Sequence, residues 1–217
     1  HKAKKGSLKS TSRVYLDYAA SVLPNPSSIH RDGVEAKGKL DSARGEVARI
    51  LGARASEIVF TSGGTESNNL AIQGVVLAWQ EKNQGKNTLS HIITTNIEHP
   101  SVLLTFKLLE KRKLAQISIV SVGSNGIVDP REIKKEIRKN TALISVMYAN
   151  NEIGTIQPIK EIAKIIRHHN KSRSSIPLFF HTDAVQAVNF LDLNVEKLGI
   201  DLLSLSGSKI EGSGRTG

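Results

Sequence analysis

A carboxylate and an amine end two apolar stretches near the end of this 217-residue sequence. Residues 179–183 read Phe-Phe-His-Thr-Asp and finish on Asp183, and Gln186 follows three residues later. Residues 201–209 form the second stretch, which finishes on Lys209. Groups at the carboxyl ends of strands in an α/β sheet converge on one crevice, so the two side chains can share a pocket. A lysine buried there is a candidate Schiff-base nucleophile, because burial favours the neutral amine.

The same two residues have a simpler interpretation. Asp183 is a good helix N-cap residue, and Lys209 is typical of a surface loop. The pair alone does not distinguish a reactive site from ordinary local structure, so the elements around the two residues must decide.

The composition is typical of a globular protein without cysteine chemistry. Hydrophobic residues make up 39% of the sequence and charged residues 23%, and no apolar run is long enough to span a bilayer. Because there is no cysteine, disulfides, thiolate metal sites and thiol nucleophiles are excluded within these residues, and we predict no metal site. The basic tail, residues 1–13, has no apolar core and is not a secretory signal. We predict a flexible tail on a cytoplasmic protein.

The formal net charge of +10 raises the question of nucleic-acid binding. Several of the basic residues lie in the tail, and the aromatic residues that stack on single strands make up only 4% of the sequence. We therefore predict a solvated basic surface, with no direct nucleic-acid partner and no membrane partner.

Apolar spacing predicts alternating helices and strands. Apolar residues recur on one helical face from residue 31 to residue 50, and Gly52 stands where a glycine would end that helix. Strands are predicted at 57–61, 91–95, 117–122 and 142–147, and helices at 70–79, at 130–138 and after Pro158. This alternation predicts an α/β fold whose mainly parallel sheet is covered by helices on both faces.

The predicted strand at 57–61 runs directly into Ser-Gly-Gly-Thr at 62–65 and then into a helix. Such a loop can hold a phosphate, because backbone amides and the helix dipole face the anion and glycine lets it approach. The loop lacks the lysine of an ATP-binding loop and the three glycines of a dinucleotide fingerprint, which disfavours ATP and NAD. A plain strand-to-helix turn explains the same residues equally well.

Two further loops place polar groups after predicted strands. His99 follows the strand at 91–95 and precedes a predicted helix, and Asn151 lies in a polar loop after the strand at 142–147. A lone histidine is usually structural, but His99 lies at the end of the sheet where a site would form.

Taken together, these residues resemble the pyridoxal-phosphate-dependent cysteine desulfurases of the class V aminotransferase group. The resemblance extends from Val14 to Lys209 and rests on motifs that occur in the family's order. They are Tyr-Leu-Asp-Tyr-Ala-Ala at 15–20, Asn-Pro-Ser-Ser-Ile-His at 25–30, Phe-Thr-Ser-Gly-Gly-Thr-Glu-Ser-Asn at 60–68, Glu-His-Pro-Ser at 98–101, Asn-Asn-Glu-Ile-Gly at 150–154, His-Thr-Asp-Ala-Val-Gln at 181–186 and Ser-Gly-Ser-Lys at 206–209. Any one of them could arise by chance, but all of them in order are highly specific.

The resemblance implies a role for each candidate site residue. Lys209 would bond the cofactor covalently and later move the Cα proton of the substrate, and Lys209 and His99 are the predicted catalytic residues. Asp183 would keep the pyridinium nitrogen protonated, so that the ring acts as an electron sink. The other predicted cofactor contacts are Gln186 on the ring oxygen, His99 on the ring face, Asn151 near the ring oxygen or substrate carboxylate, and Gly64, Thr65, Ser206 and Ser208 at the phosphate.

In that family, the reaction removes sulfur from L-cysteine and leaves L-alanine and a persulfide on an enzyme cysteine. The resemblance implies the large domain of PLP fold type I, the aspartate-aminotransferase type, over residues 14–217, without the smaller C-terminal domain. It also implies a homodimer that passes sulfur to an acceptor or iron–sulfur scaffold protein, for iron–sulfur cluster assembly or tRNA thiolation. The alternatives are a related class V aminotransferase or selenocysteine lyase, and a catalytically inactive remnant that acts as a binding partner.

The sequence departs from the family pattern in several places. It stops at Gly217, before the part that carries the family's persulfide cysteine and the arginine that binds the substrate carboxylate. Ser208 stands where the family usually has a histidine that helps to hold the phosphate. The ending at 211–217 is glycine-rich, and the connector at 21–24 is shorter than in the family. Cofactor affinity and the choice between desulfurase and lyase therefore depend on more than these motifs.

Overall fold

The computed structural model describes residues 24–84, 88–173 and 176–210. The chain divides into two compact units, His1–Val47 and Ala48–Gly217. Several predicted segments lie outside the described residues, namely the basic tail at 1–13, the motif at 15–20, most of the connector at 21–24 and the ending at 211–217. A single cofactor-binding domain over residues 14–217 stays a prediction.

The described part of the first unit is a turn followed by most of helix α1, Arg31–Leu51. In the turn, the Ser28 backbone N–H donates to the Asn25 carbonyl at 3.0 Å, and the Ser27 N–H donates to Asn25 Oδ1 at 2.9 Å. After the helix, Gly52 has a φ of +69°, a left-handed conformation that glycine adopts without a steric penalty. The predicted helix and its terminal glycine are therefore confirmed.

In the second unit, five parallel strands form one sheet in the order β2-β1-β3-β4-β5. Their bounds are Ser90–Thr95 for β1, Ala115–Val120 for β2, Thr141–Ser145 for β3, Phe179–Asp183 for β4 and Leu202–Ser204 for β5. The strand that follows β1 in the chain lies on one side of it, and β3 lies on the other. This reversal opens a crevice at the carboxyl ends of β1 and β3.

Helices cover both faces of the sheet. They are α2, Gly64–Lys82, and α3, Pro100–Lys111, on one face, and α4, Pro130–Glu136, α5, Ile159–Lys171, and α6, Val195–Leu198, on the other. Adjacent strand residues point to opposite faces, so Ile92 and Leu143 pack in one core cluster while Ile93 and Ile144 pack in the other. Burial on both faces explains the continuous apolar strands and confirms the predicted fold class. None of the helices in the described ranges is long and apolar enough to cross a membrane.

Several predicted stretches differ in extent from the observed strands. The strand predicted at 117–122 is Ala115–Val120, and the one predicted at 142–147 is Thr141–Ser145. Residues 55–57 form a short 3-10 helix, so Glu57 is not part of a strand, and Ile58 after it has extended backbone angles. Val59 is 63% exposed. In the apolar stretch at 201–209, only Leu202–Ser204 forms a strand. Apolar, extended sequence predicts a strand, but a strand also needs a neighbour, which local sequence does not specify.

Candidate active site

The crevice between β1 and β3 contains a cavity of about 230 Å³. Residues at or just beyond the carboxyl ends of four strands line it: His99 follows β1, Asn151 follows β3, Asp183 ends β4 and Ser206 follows β5. The amino end of α2 also lines it, through Gly64 and Thr65. The sheet topology therefore brings polar groups from distant parts of the sequence to one place.

The cavity brings together every site residue that the sequence analysis predicted. They are Gly64, Thr65, His99, Asn151, Asp183, Gln186, Ser206, Ser208 and Lys209. The other lining residues, to which sequence reasoning assigned no role, are Asn68, Ser101, Met147, Ala149 and Val185. Asn68 and Ser101 lie inside the motifs quoted above, and that position was the only signal that could have identified them. The roles of the predicted residues stay predictions, because a shared cavity establishes proximity rather than chemistry.

Helix α2 begins at the cavity with two glycines. Gly63 has a φ of +152°, which L side chains rarely adopt. A Cβ atom on Gly64 would lie 2.7 Å from Val185 Cγ2 and 3.5 Å from Ser206 Cβ. Glycine at position 64 therefore keeps space open beside the first turn of α2, where backbone N–H groups and the helix dipole favour an anion.

Two serine hydroxyls lie beside this helix start. Ser206 Oγ and Ser208 Oγ are 2.8 Å apart and share a hydrogen bond. Ser206 is buried and Ser208 is exposed. Each hydroxyl is both a donor and an acceptor, so together with Thr65 they provide the donors that a phosphate group requires.

Asp183 is a buried carboxylate in the cavity wall, with 4% of its surface exposed. Its Oδ1 accepts from the Val185 N–H at 3.0 Å, and its Oδ2 accepts from Asn68 Nδ2 at 2.7 Å. Burial raises the pKa of Asp183, and these hydrogen bonds and the nearby His99 ring oppose that rise. Residues 185–190 form turns, and the next helix begins at Val195, so the N-cap interpretation of Asp183 is wrong.

Lys209 does not occupy the buried position that the sequence analysis predicted. β5 ends at Ser204, and the chain then enters a short 3-10 helix, Gly207–Lys209, beyond the edge of the sheet. The Lys209 side chain is exposed, although it lines the cavity, and its carbonyl accepts from Asn189 Nδ2 at 2.6 Å. The expected burial is wrong because the strand is too short to carry the lysine into the sheet.

His99 is both a lining residue and the N-cap of α3. Its Nδ1 accepts from the Ser101 backbone N–H at 3.1 Å and lies 2.7 Å from Ser101 Oγ. A ring nitrogen that accepts a backbone N–H carries no proton, so the neutral ring carries its proton on Nε2. Pro100 occupies the start of the helix, where its missing N–H costs no hydrogen bond.

The loop after β3 gives two neighbouring asparagines different environments. Asn150 is buried, its Oδ1 accepts from the N–H groups of Glu152 and Ile153 at 2.8 and 2.9 Å, and its Nδ2 donates to the Ile97 carbonyl at 2.9 Å. Asn151 is exposed and lines the cavity. Asn150 therefore organises the loop that presents Asn151.

Glu98 is a buried carboxyl group that the sequence analysis did not single out. Its Oε1 accepts from Thr95 Oγ1 at 2.6 Å and from the Met147 N–H at 2.9 Å, whereas its Oε2 has no partner among the described residues. Burial raises the pKa of Glu98 to about 8, and the negative charge of Asp183 adds to the rise. The carboxyl group is therefore largely protonated at neutral pH.

The sequence matches the model of a known protein family over nearly its whole length. Residues 3–217 match the family described as Aminotransferase class-V. The chain is 45% identical to cysteine desulfurase IscS of Dictyoglomus turgidum over 216 residues, which cover 92% of this chain and 51% of the relative. It is 47% identical to cysteine desulfurase IscS of Methanosarcina thermophila over 197 residues, which cover 91% of this chain and 45% of the relative. The chain spans about half the length of the curated relatives that it matches.

Solved structures with similar sequences have the same fold. The structure of SspA in complex with cysteine matches with a TM-score of 0.79 at 37% identity, and the match covers 93% of this chain and 54% of that chain. A NifS-like protein also matches with a TM-score of 0.79 at 37% identity, over 88% of this chain and 49% of that chain. These matches confirm the predicted PLP fold type I.

Proposed function

Because the chain belongs to the aminotransferase class V family, we propose that it carries the pyridoxal-phosphate site of a cysteine desulfurase. Such an enzyme uses pyridoxal 5′-phosphate to release sulfur from L-cysteine as a persulfide and leaves L-alanine. The observation that carries the proposal is the cavity lined together by Lys209, the buried Asp183 and the glycine-rich start of α2.

The residues at the start of α2 fit the phosphate end of the cofactor. Gly64 leaves room that a side chain would fill, and Thr65, Ser206 and Ser208 contribute hydroxyl groups to the same part of the cavity. Their task is to donate hydrogen bonds to phosphate oxygens and so to anchor the cofactor. Ser208 contributes one neutral donor where the family usually has a histidine.

The residues around Asp183 fit the aromatic ring of the cofactor. A buried carboxylate favours a neighbouring cation, so Asp183 is suited to hold a proton on a ring nitrogen. When bound, the cofactor supplies an electron sink that stabilises negative charge at the Cα atom of an amino acid. Gln186 and His99 line the same cavity. When the cofactor is bound, Gln186 would donate to the ring oxygen, and the exposed imidazole of His99 would lie against the ring.

Lys209 supplies the amine of the site. A neutral primary amine can bond a carbonyl carbon and can also accept a proton. Lys209 is exposed and also lines the cavity, and its long side chain can turn inward for both tasks, first to bond the cofactor and then to carry the substrate Cα proton. Asn151 lies in the same cavity and is assigned to the substrate carboxylate or the ring oxygen.

L-cysteine is the proposed substrate, supported by the names of the relatives and by the structure of SspA with cysteine. The sequence contains no cysteine, so we propose that the thiol that accepts the sulfur lies outside these residues. On the family resemblance alone, we further propose a cytoplasmic homodimer that passes sulfur to an acceptor or iron–sulfur scaffold protein. The product would serve iron–sulfur cluster assembly or tRNA thiolation.

The visible absorption spectrum of the full chain tests the cofactor site. After incubation with pyridoxal phosphate and dialysis, we expect a retained visible band that is lost in Lys209→Ala. Lys197→Ala is the matched control, because Lys197 is an exposed lysine that pairs with Asp192 at 3.3 Å and does not line the cavity. A parent protein that retains no band contradicts the proposal and favours an inactive binding partner.

Alanine release from L-cysteine tests the reaction itself in the cofactor-loaded full chain. Because the sequence contains no cysteine, a dithiol is added as the sulfur acceptor. We expect L-alanine and sulfide from the parent, with the dithiol oxidised to its disulfide, and none of these products from Lys209→Ala. A retained cofactor without alanine release from L-cysteine would contradict desulfuration. In that case, release from L-selenocysteine would favour a selenocysteine lyase, and amino transfer would favour another class V aminotransferase.

A further inference from the structure

A chain of hydrogen bonds links two of the predicted site residues through the protein interior. Asn68, on α2, is 1% exposed. Its Nδ2 donates to Asp183 Oδ2 at 2.7 Å and to Ser101 Oγ at 2.9 Å. Ser101 Oγ in turn lies 2.7 Å from His99 Nδ1. This hydrogen-bond chain therefore runs from the end of β4 through α2 and α3 to the ring of His99.

The chemistry of Asp183 sets the direction of every bond in this chain. An ionised carboxylate only accepts, so the amide NH₂ of Asn68, and not its oxygen, must face Asp183. The second N–H of that amide then donates to Ser101 Oγ. The Ser101 hydroxyl therefore donates its own proton to His99 Nδ1, which also accepts the Ser101 backbone N–H.

We propose that Asn68 and Ser101 are positioning residues that hold Asp183 as a hydrogen-bonded acceptor and His99 with its proton on Nε2. This inference deepens the proposed function and rests on it, because the two residues that it positions are those assigned to the cofactor ring. Asn68 and Ser101 act from behind the ring-binding residues, so their effect reaches the cofactor through Asp183 and His99.

The electrostatics of Asp183 support this role for Asn68. Burial raises the pKa of Asp183, and the hydrogen bonds from Val185 and Asn68 lower it. The other titratable groups near Asp183 are Glu98, whose carboxyl is largely protonated at neutral pH, His99, and Lys209 in the same cavity. The Asn68 amide thus favours the ionised carboxylate that a protonated ring nitrogen needs.

NMR of the cofactor-free full chain tests both ends of the hydrogen-bond chain. With ¹⁵N-labelled histidine, we expect His99 to carry its proton on Nε2 at a pH where the ring is neutral. With ¹³C-labelled aspartate, we expect Asn68→Leu to raise the titration midpoint of Asp183 by about one pH unit or more, which is a tenfold change in proton affinity. Asn69→Leu is the matched control, because its amide contacts Thr65, Gln73 and Thr105 instead.

Variants of Ser101 test the His99 end of the hydrogen-bond chain separately from the Asp183 end. Ser101→Ala leaves the Asn68 bond to Asp183 intact, so the Asp183 midpoint stays near that of the parent. The variant keeps the backbone N–H donor to His99 Nδ1 but loses the shorter hydroxyl bond, so the population with the proton on Nδ1 rises. Ser101→Thr keeps the hydroxyl group and restores the parent pattern. If Asn68→Leu does not fold, Asn68→Ser removes the double donor with a smaller change in packing.

Two results would overturn the inference. One is a parent His99 ring that carries its neutral-state proton on Nδ1, which needs no variant to observe. The other is an Asp183 midpoint that shifts equally in Asn68→Leu and Asn69→Leu. Both NMR measurements use cofactor-free protein and do not depend on cofactor binding. A protein that fails to bind pyridoxal phosphate would therefore contradict the proposed function without changing either NMR result.

Discussion

The backbone N–H of Met147 donates to Glu98 Oε1 at 2.9 Å and ties the segment after β3 to the segment after β1. The bond crosses the crevice where the strand order reverses, one residue before His99, the N-cap of α3. Because the carboxyl group that makes it is buried, with a pKa that burial raises, its protonation state is linked to the stability of the fold.

Glu98→Gln should abolish a loss of stability that occurs as the pH rises from about 4.3 to about 8. The carboxyl of Glu98 titrates near pH 8 in the folded chain, whereas an unfolded glutamate titrates near about 4.3. Between these values the folded state keeps a proton that the unfolded state has lost, so stability falls as pH rises and then levels off. From pH 5 to pH 8, the parent should lose on the order of 3 kcal/mol more than the variant.

Urea denaturation of the cofactor-free full chain at pH 5 and pH 8 measures this difference. Comparing the two pH values within each protein removes the constant cost of burying an amide in place of the carboxyl. Glu110→Gln, on the exposed side of α3, is the control. Identical pH dependence in the parent and Glu98→Gln would contradict the prediction.

His181→Gln should reduce the loss of stability in acid. His181 is buried between Ser145 Oγ at 2.8 Å and Ser204 Oγ at 2.9 Å, and burial lowers its pKa to about 3. An unfolded histidine titrates near about 6.5, so the unfolded state binds the extra proton first. Stability is therefore complete above about pH 6.5 and falls as pH decreases toward 3, by about 3 kcal/mol at pH 4.5.

The measurement is the difference in unfolding free energy between pH 7 and pH 4.5 for the parent and for His181→Gln. The control is His168→Gln, at an exposed position on α5. Its unfolding free energy should fall between pH 7 and pH 4.5 by as much as that of the parent. His91, whose pKa burial lowers to about 4, contributes a slope of the same sign in all three proteins. An unchanged slope in His181→Gln would show that burial does not set the protonation of this ring.

Gly64→Ala should weaken cofactor binding without unfolding α2. A Cβ atom there would lie 2.7 Å from Val185 Cγ2, so either the start of the helix or residue 185 must move at the predicted phosphate position. We expect a dissociation constant for pyridoxal phosphate that is about tenfold higher, measured by absorbance titration.

Gly74→Ala provides the control on the same helix. A Cβ atom at Gly74 meets nothing within 4 Å. This variant should bind the cofactor like the parent and gain about 0.5–1 kcal/mol of stability, because alanine has the higher helix propensity. If the two variants bind pyridoxal phosphate with equal affinity, the start of α2 is not part of the cofactor site.

Ser208→Ala should weaken cofactor binding modestly. It removes one neutral donor from the predicted phosphate position, which corresponds to about 1 kcal/mol, or roughly fivefold in affinity. Ser172→Ala, which removes an exposed hydroxyl bonded to the His169 carbonyl, should leave affinity unchanged. An unchanged affinity in Ser208→Ala would assign the phosphate to other donors.

Much of the fold was predictable from local patterns. Helix α1 and its terminal Gly52, strand β4 and the helix after Pro158 follow from apolar spacing and terminal residues, and the structure has all of them. The length of β5 was not predictable, because only Leu202–Ser204 of the apolar stretch at 201–209 pairs with β4. Strand pairing joins segments that are far apart in sequence, so it leaves little trace in either segment.

The candidate site, like the fold, was only partly predictable from the sequence. The identities of Asp183, Lys209, His99 and the glycines before α2 were recognisable in sequence, because each lies in a motif with ordered neighbours. The burial of Asp183, the exposure of Lys209 and the hydrogen bond that Asn68 donates to Asp183 could not be recognised in the sequence. Sequence alone determined which chemical groups are present and in what order along the chain. Only the tertiary structure decided which of them lose water and face one another, because desolvation and hydrogen bonding depend on neighbours that the sheet topology brings together from more than a hundred residues away.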